Sequence, residues 1–229
     1  MTPDGKAVRA IWPGRTMLLF LWVADLSFIA ADVVFNDLGY YPFSKVEIHR
    51  DGSAPEFYQY LKLGWAMMTL GLIAWTARTL RPLVWVPVVG FLMATDAARL
   101  HERLGWAWAQ RWDLPAMGGL QGGDVGEVLV ASLVIVPAIV LLAAQWPRQK
   151  PHHRRFHLTV VAFMVLLGCF GVGLDIAHSL TRSANPTLAM VLDVIEDGGE
   201  MLTISALLAY LVASAWSAMS IGLRERAIT

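Results

Sequence analysis

The amino-acid sequence specifies an all-α fold: a polytopic membrane helical bundle with about six transmembrane helices. Three observations lead there. The 229 residues are 56% hydrophobic and 16% charged, too apolar a balance for an ordinary soluble domain. The apolar residues gather into runs near the roughly 20 residues that a helix needs to cross a bilayer core of about 30 Å. The basic residues cluster on alternate sides of these runs, as they do in short cytoplasmic loops.

Six stretches qualify as spans, approximately 17–35, 60–77, 83–100, 125–146, 156–180 and 188–219, and 1–229 reads as a single integral membrane domain. The first follows Lys6, Arg9 and Arg15, but it contains Asp25 and Asp32 and lacks an A-x-A cleavage site, so it reads as a retained helix rather than a signal peptide. The second, fourth and sixth close on Trp75, Trp146 and Trp216, suited to an interfacial aromatic belt. Pro82, Pro87, Pro137, Pro147 and Pro186 fall near span ends or inside spans, where membrane helices tolerate them. The last stretch is long, and its first turns, with Asp193, Glu196, Asp197 and Glu200, are expected to reach the membrane surface or pass it.

Orientation follows from the bases. Lys6, Arg9, Arg15, Arg78, Arg81, Arg148, Lys150, Arg154, Arg155, Arg224 and Arg226 fall on one side if the helices alternate. That side is expected to be the cytoplasm, with both termini there and the protein in the inner (plasma) membrane. Lys45, Arg50, Lys62, Arg99, Arg103, Arg111 and Arg182 then fall outside, together with every acid except Asp4, Asp25 and Glu225. The zero net charge gives no argument for a nucleic-acid partner. The single cysteine, Cys169, excludes an intramolecular disulfide. There is no G-x-x-x-x-G-K-[ST], G-x-S-x-G, H-E-x-x-H or C-x-x-C.

Comparing the chain with itself shows a recurring unit: a helix ending in an acid, an outer loop, and a helix that opens on a spaced polar pair. One copy ends at Asp32 and reopens at Glu56 and Gln59. Another ends at Asp96 and reopens at Asp124 and Glu127, and a third ends at Asp175 and reopens at Asp197 and Glu200. Three repeated helical hairpins would account for it. Residues three or four apart share a helix face, so Asp175 with His178, Asp124 with Glu127, and Glu196 with Glu200 point the same way.

Carboxylates near lipid need compensation. One account pairs them with Arg99, Arg103, Arg111 and Arg182 or leaves them at the water interface, with Asp124 and Glu127 answering a helix N-terminus. A second is a bound metal: bundles build such sites from carboxylates and histidines of facing helices. Its ligands would come from Asp96, His101, Glu102, Asp124, Asp175, His178, Asp197 and Glu200, with Glu127 and Glu196 as catalytic acid–base groups. Mixed carboxylate and imidazole donors suit zinc, iron or manganese. The third is a proton or cation pathway. His152, His153 and His157 belong to a basic loop whose charge serves topology or anionic-lipid contact. Asp25, in the middle of the first span, reads equally as a functional group and as a buried hydrogen-bonding one.

The stretch D-A-A-R-L-H-E from Asp96 to Glu102 and the later E-D-G-G-E from Glu196 to Glu200 resemble a pattern of uncharacterised bacterial multipass membrane proteins, D-x4-H-E followed by E-[ED]-x2-E. The resemblance covers the last four spans and implies a shared polar site at the outer face. Membrane hydrolases of the alkaline ceramidase type are similar in placing Asp and His ligands within a helical bundle, but the serine and the His-rich C-terminal helix of that family are not found here. The expected function is a metal-dependent hydrolase or oxidase acting on a membrane lipid or other hydrophobic substrate. A cation or proton-coupled transporter, and an accessory subunit in a homo-oligomer or larger membrane complex, are the alternatives.

Overall fold

The structure, a computed structural model, describes residues 5–37, 45–48, 50, 52–117, 121–174 and 185–226. Every regular element among them is helical. In chain order they are α1 (Gly5–Asp32), α2 (Ala54–Thr76), α3 (Trp85–Ala98), α4 (Leu100–Trp112), α5 (Gly122–Gln145), α6 (Pro151–Gly168) and α7 (Pro186–Arg226). π-helical turns extend α1 (Val33–Asp37) and α6 (Cys169–Leu174), and 3-10 turns, Arg81–Val84 and Trp146–Arg148, precede α3 and follow α5.

Local chemistry sets several of these boundaries. α2 starts six residues before the apolar run because Ser53 caps it, accepting a hydrogen bond from the Glu56 N–H, and Pro55 needs no donor in the first turn. Pro151 opens α6 in the same way, so the basic stretch around His152 and Arg155 forms its first turns rather than a loop. α3 ends at Arg99, whose φ of 47° is left-handed, and α4 starts at the next residue. The region expected to be an outer loop thus contains a helix.

Among the described residues, four helical segments are long and apolar enough to cross a membrane: Pro13–Phe35, Val125–Arg148, Pro151–Gly171 and Met190–Ser220. α2 has the length but carries Glu56 and Lys62, and the apolar part of the α3 segment, Arg81–Thr95, is shorter. Side chains such as Phe20, Val136 and Val165 stay exposed on these helices, as lipid-facing positions do. The long α7 is the hub, packed along α1, α2 and α6. Its Ile204, Leu207, Leu208 and Leu211 meet Leu63, Ala66 and Leu70 of α2 and Leu21 of α1 in the core. α3 packs on α2 and leads to the closely apposed α4 and α5. A Cβ at Gly126 would fall on the Gly105 carbonyl, so these two helices touch backbone to backbone.

Candidate functional site

Asp32 and Asp96, two of the acids recognised in the sequence, sit near points where helices lose regularity. Asp32, fully buried, is the last α-helical residue of α1 before a π turn. Asp96 lies in the last turn of α3, three residues before the left-handed Arg99, and His101 and Glu102 open α4. The α6 π turn ends at Leu174, one residue before Asp175. These points share one end of the bundle. Ile29 of α1 meets Gly198 of α7, Phe170 meets Gly199, and Ala97 to Arg99 line a cleft with the start of α2.

On α7, Glu196, Asp197 and Glu200 are half-buried. The Glu200 carboxylate lies against Gly171, where a Cβ would strike its Oε1. A glycine in the π turn thus brings this acid onto the backbone four residues before Asp175. Glu127, in the first turns of α5, is half-buried with its Cγ against Gly105, four residues after His101. Of the described side chains of the expected site, Glu200 thus lies where α7 meets the end of α6, and Glu127 where α5 meets α4. Asp175 and His178 lie outside the described residues, as do the side chains of Asp96, His101, Glu102 and Asp124. Among the described residues no three His, Cys, Asp or Glu side chains stand together around one ion position.

The stretch from Met17 to Ser214 decides the family. The chain belongs to a family described as a domain of unknown function, DUF8692, whose model matches residues 17–214. The family match takes in every acid of the expected site. Comparisons with curated proteins and with solved structures gave no match.

A second polar centre lies deeper in this family member. Asp25, Lys62 and Ser205 are each fully buried. The Lys62 ammonium donates to Asp25 Oδ1 at 2.8 Å, to the Met201 carbonyl at 3.0 Å and to Ser205 Oγ at 3.1 Å. Ser205 in turn donates to Asp25 Oδ2 at 2.5 Å, and the Tyr58 ring lies 4.7 Å from the Lys62 nitrogen. Asp25 is one residue from the middle of the Pro13–Phe35 segment, and Ser205 is at the middle of Met190–Ser220. An ion pair thus ties α1, α2 and α7 together at mid-span. Charge sidedness had grouped Lys62 with the outer bases. Asp25 stands out in the sequence as a mid-span carboxylate, which calls for a buried partner; Lys62 as that partner does not. His157 is likewise a core residue, its Nδ1 accepting the Trp85 indole N–H at 3.0 Å.

Proposed function

We infer that this is a six-span protein of the inner (plasma) membrane, with both termini cytoplasmic, built from three helical hairpins and carrying a metal site at its extracytoplasmic face. In this reading it is a metal-dependent enzyme acting on a lipid or other hydrophobic substrate. One observation carries it: the recurring acids Asp32, Asp96 and Asp175 each adjoin irregular backbone, a π turn, the Arg99 break and a second π turn. π turns and left-handed non-glycine residues cost stability and concentrate at functional sites. Broken helices within a bundle also expose backbone groups suited to ligands.

Asp175, His178, Asp197 and Glu200 form the nucleus of the ligand set, completed by Asp96, His101, Glu102 and Asp124. Their mixed oxygen and nitrogen donors fit zinc, iron or manganese. Held by these residues, such an ion would acidify a water for hydrolysis or, as an iron pair, would support oxidation. Glu127 and Glu196 are the carboxylates assigned to proton transfer. Metal analysis of protein purified without chelator tests the reading. Stoichiometric metal is expected in the wild type and strong depletion in a folded Asp197→Ala, Glu200→Ala variant, whereas a metal-free wild type would end it.

A second reading, cation or proton-coupled transport, draws on the mid-span Asp25–Lys62 pair. It requires proteoliposome flux that Asp25→Asn abolishes, and no such flux would dismiss it.

A further inference from the structure

α2 and α5 end, and α3 and α6 begin, at the end of the bundle away from the acids. Contacts draw the two turns together there. Trp85 of α3 donates its indole N–H to His157 Nδ1 of α6, and one helical turn earlier on each, Arg81 comes close enough to His153 for their charges to interact. Residues 57–95 and 128–174 contain no Asp or Glu. Arg78, Arg81, Arg148, Lys150, Arg154 and Arg155 therefore meet no carboxylate from the helices and turns that bear them. The terminal segments add Asp4 and Glu225, whose side chains lie outside the described residues, and more bases than acids.

Basic charge of this kind orients a membrane protein without any ligand. The amide among these bases has no such explanation. Gln149, between the Trp146–Arg148 turn and α6, is 5% exposed, and among the described residues neither its Oε1 nor its Nε2 has a hydrogen-bond partner. Buried amides are rarely left so. The Trp146 carbonyl accepts both the Gln149 N–H and the Arg154 Nε–H, each at 3.2 Å, which sets the guanidinium beside Gln149. Lys150 follows, and α6 starts at Pro151 with no side chain capping it, so its first turn presents a positive dipole end. An anion suits the bases and the helix start. Gln149 adds a donor for that anion and an acceptor for a hydroxyl carried with it. The turn joins two segments able to cross a membrane, Val125–Arg148 and Pro151–Gly171, and so stands at the surface, where lipid head groups supply anions. Leu141 and Leu158, exposed on the flanking helices, offer apolar surface to acyl chains.

We propose that the α5–α6 turn binds an anionic phospholipid with a hydroxylated head group, its phosphate on Lys150, Arg154 and the start of α6, and Gln149 bridging phosphate and hydroxyl. The test uses the full-length protein in detergent, titrated with phosphatidylglycerol, phosphatidylmethanol or phosphatidylethanolamine, with bound lipid counted by native mass spectrometry. Phosphatidylglycerol is expected to bind most tightly, phosphatidylmethanol, of equal charge without the hydroxyl, more weakly, and the zwitterionic lipid most weakly. Gln149→Met conserves every charge, and with it the topology, and removes two unpaired polar atoms, so it should unfold no earlier than the wild type. It is expected to bind phosphatidylglycerol about tenfold more weakly, the loss of roughly one hydrogen bond to a charged group, and to lose the preference over phosphatidylmethanol. Arg154→Gln should weaken both anionic lipids and serves as the second variant if Gln149→Met fails to fold. Arg111→Gln, at the acid-bearing end, is expected to bind like the wild type. Four results overturn the proposal: unchanged phosphatidylglycerol affinity in the Gln149 and Arg154 variants, no preference for phosphatidylglycerol over phosphatidylmethanol in the wild type, an equal loss in Arg111→Gln, or displacement of the lipid by glycerol phosphate at lipid-like concentrations. The last would make the ligand a soluble phosphate ester instead.

Discussion

The ammonium of Lys62 has three hydrogens, and three acceptors lie within 3.1 Å of it. Both oxygens of Asp25 are also occupied. A network satisfied to this degree is stable as a set and costly in part. Lys62→Met alone strands a carboxylate in the bundle core and is expected to cost about 3–5 kcal/mol, read as a lowered unfolding midpoint in detergent. Replacing Asp25→Leu in the same chain should restore most of that loss, since neither charge then remains. A double variant no better than the single one would mean that Ser205 and the Met201 carbonyl, not the ion pair, dominate. His157→Leu tests a neutral contact by the same logic: it leaves the buried Trp85 N–H without its acceptor, at about 1–3 kcal/mol. The sequence made Asp25 legible as a problem but not its solution, because charge counting sorts bases by loop and cannot see a lysine turned inward. His157 was hidden for a related reason, since Pro151 starts a helix where the basic run looked like a loop.

At the scale of elements, apolar runs located α1, α2, α3, α5, α6 and α7, and the starts of α2 and α6 moved by a few residues where a cap or a proline governed. α4 escaped notice because its sequence, with Arg103, Gln110 and Arg111 among three tryptophans, has the polarity of a loop, and its stability comes from contact rather than from hydropathy. That contact is the close approach of Gly105 to Gly126. The expected consequence is a sign difference between two glycine substitutions. Gly126→Ala forces a methyl onto the Gly105 carbonyl and should cost about 1–3 kcal/mol by overpacking. Gly64→Ala meets no atom within 4 Å and should gain about 0.5–1 kcal/mol through helix propensity. Thermal unfolding of both variants checks the pair, and a harmless Gly126→Ala would show that α4 and α5 are not held in backbone contact. The π turns beside Asp32 and Asp175 had no counterpart in the sequence reading, because an i→i+5 bond leaves no periodicity to find. The acids next to them were nevertheless marked by their spacing.

For the whole molecule, the open quantity is how many times the chain crosses the bilayer. α1, α5, α6 and α7 contain the four segments apolar enough to cross unaided, and a helix bearing Lys62 would not rank with them on hydropathy. Hydropathy charges Lys62 as if it faced lipid, yet its side chain is fully buried against Asp25, so the cost that excludes α2 is not incurred in the fold. α2 also packs along α7 and reaches α1 through the Lys62–Asp25 pair and the Phe28–Tyr58 ring contact, which a surface-lying helix cannot do. α2 and α3 must cross together or not at all, because either choice leaves α5 running in the same direction. The turn between them decides: with six crossings it is cytoplasmic, with four it lies outside. Leu80 in that turn is 79% exposed. In a Cys169→Ser background, Leu80→Cys should resist a membrane-impermeant thiol reagent on intact cells and react after permeabilisation, as should His152→Cys in the first turn of α6. Asp113→Cys, at the end of α4, should react without permeabilisation. Labelling of Leu80→Cys on intact cells, with His152→Cys still protected, would reduce the spans to four and leave the Asp25–Lys62 pair without its place at mid-membrane.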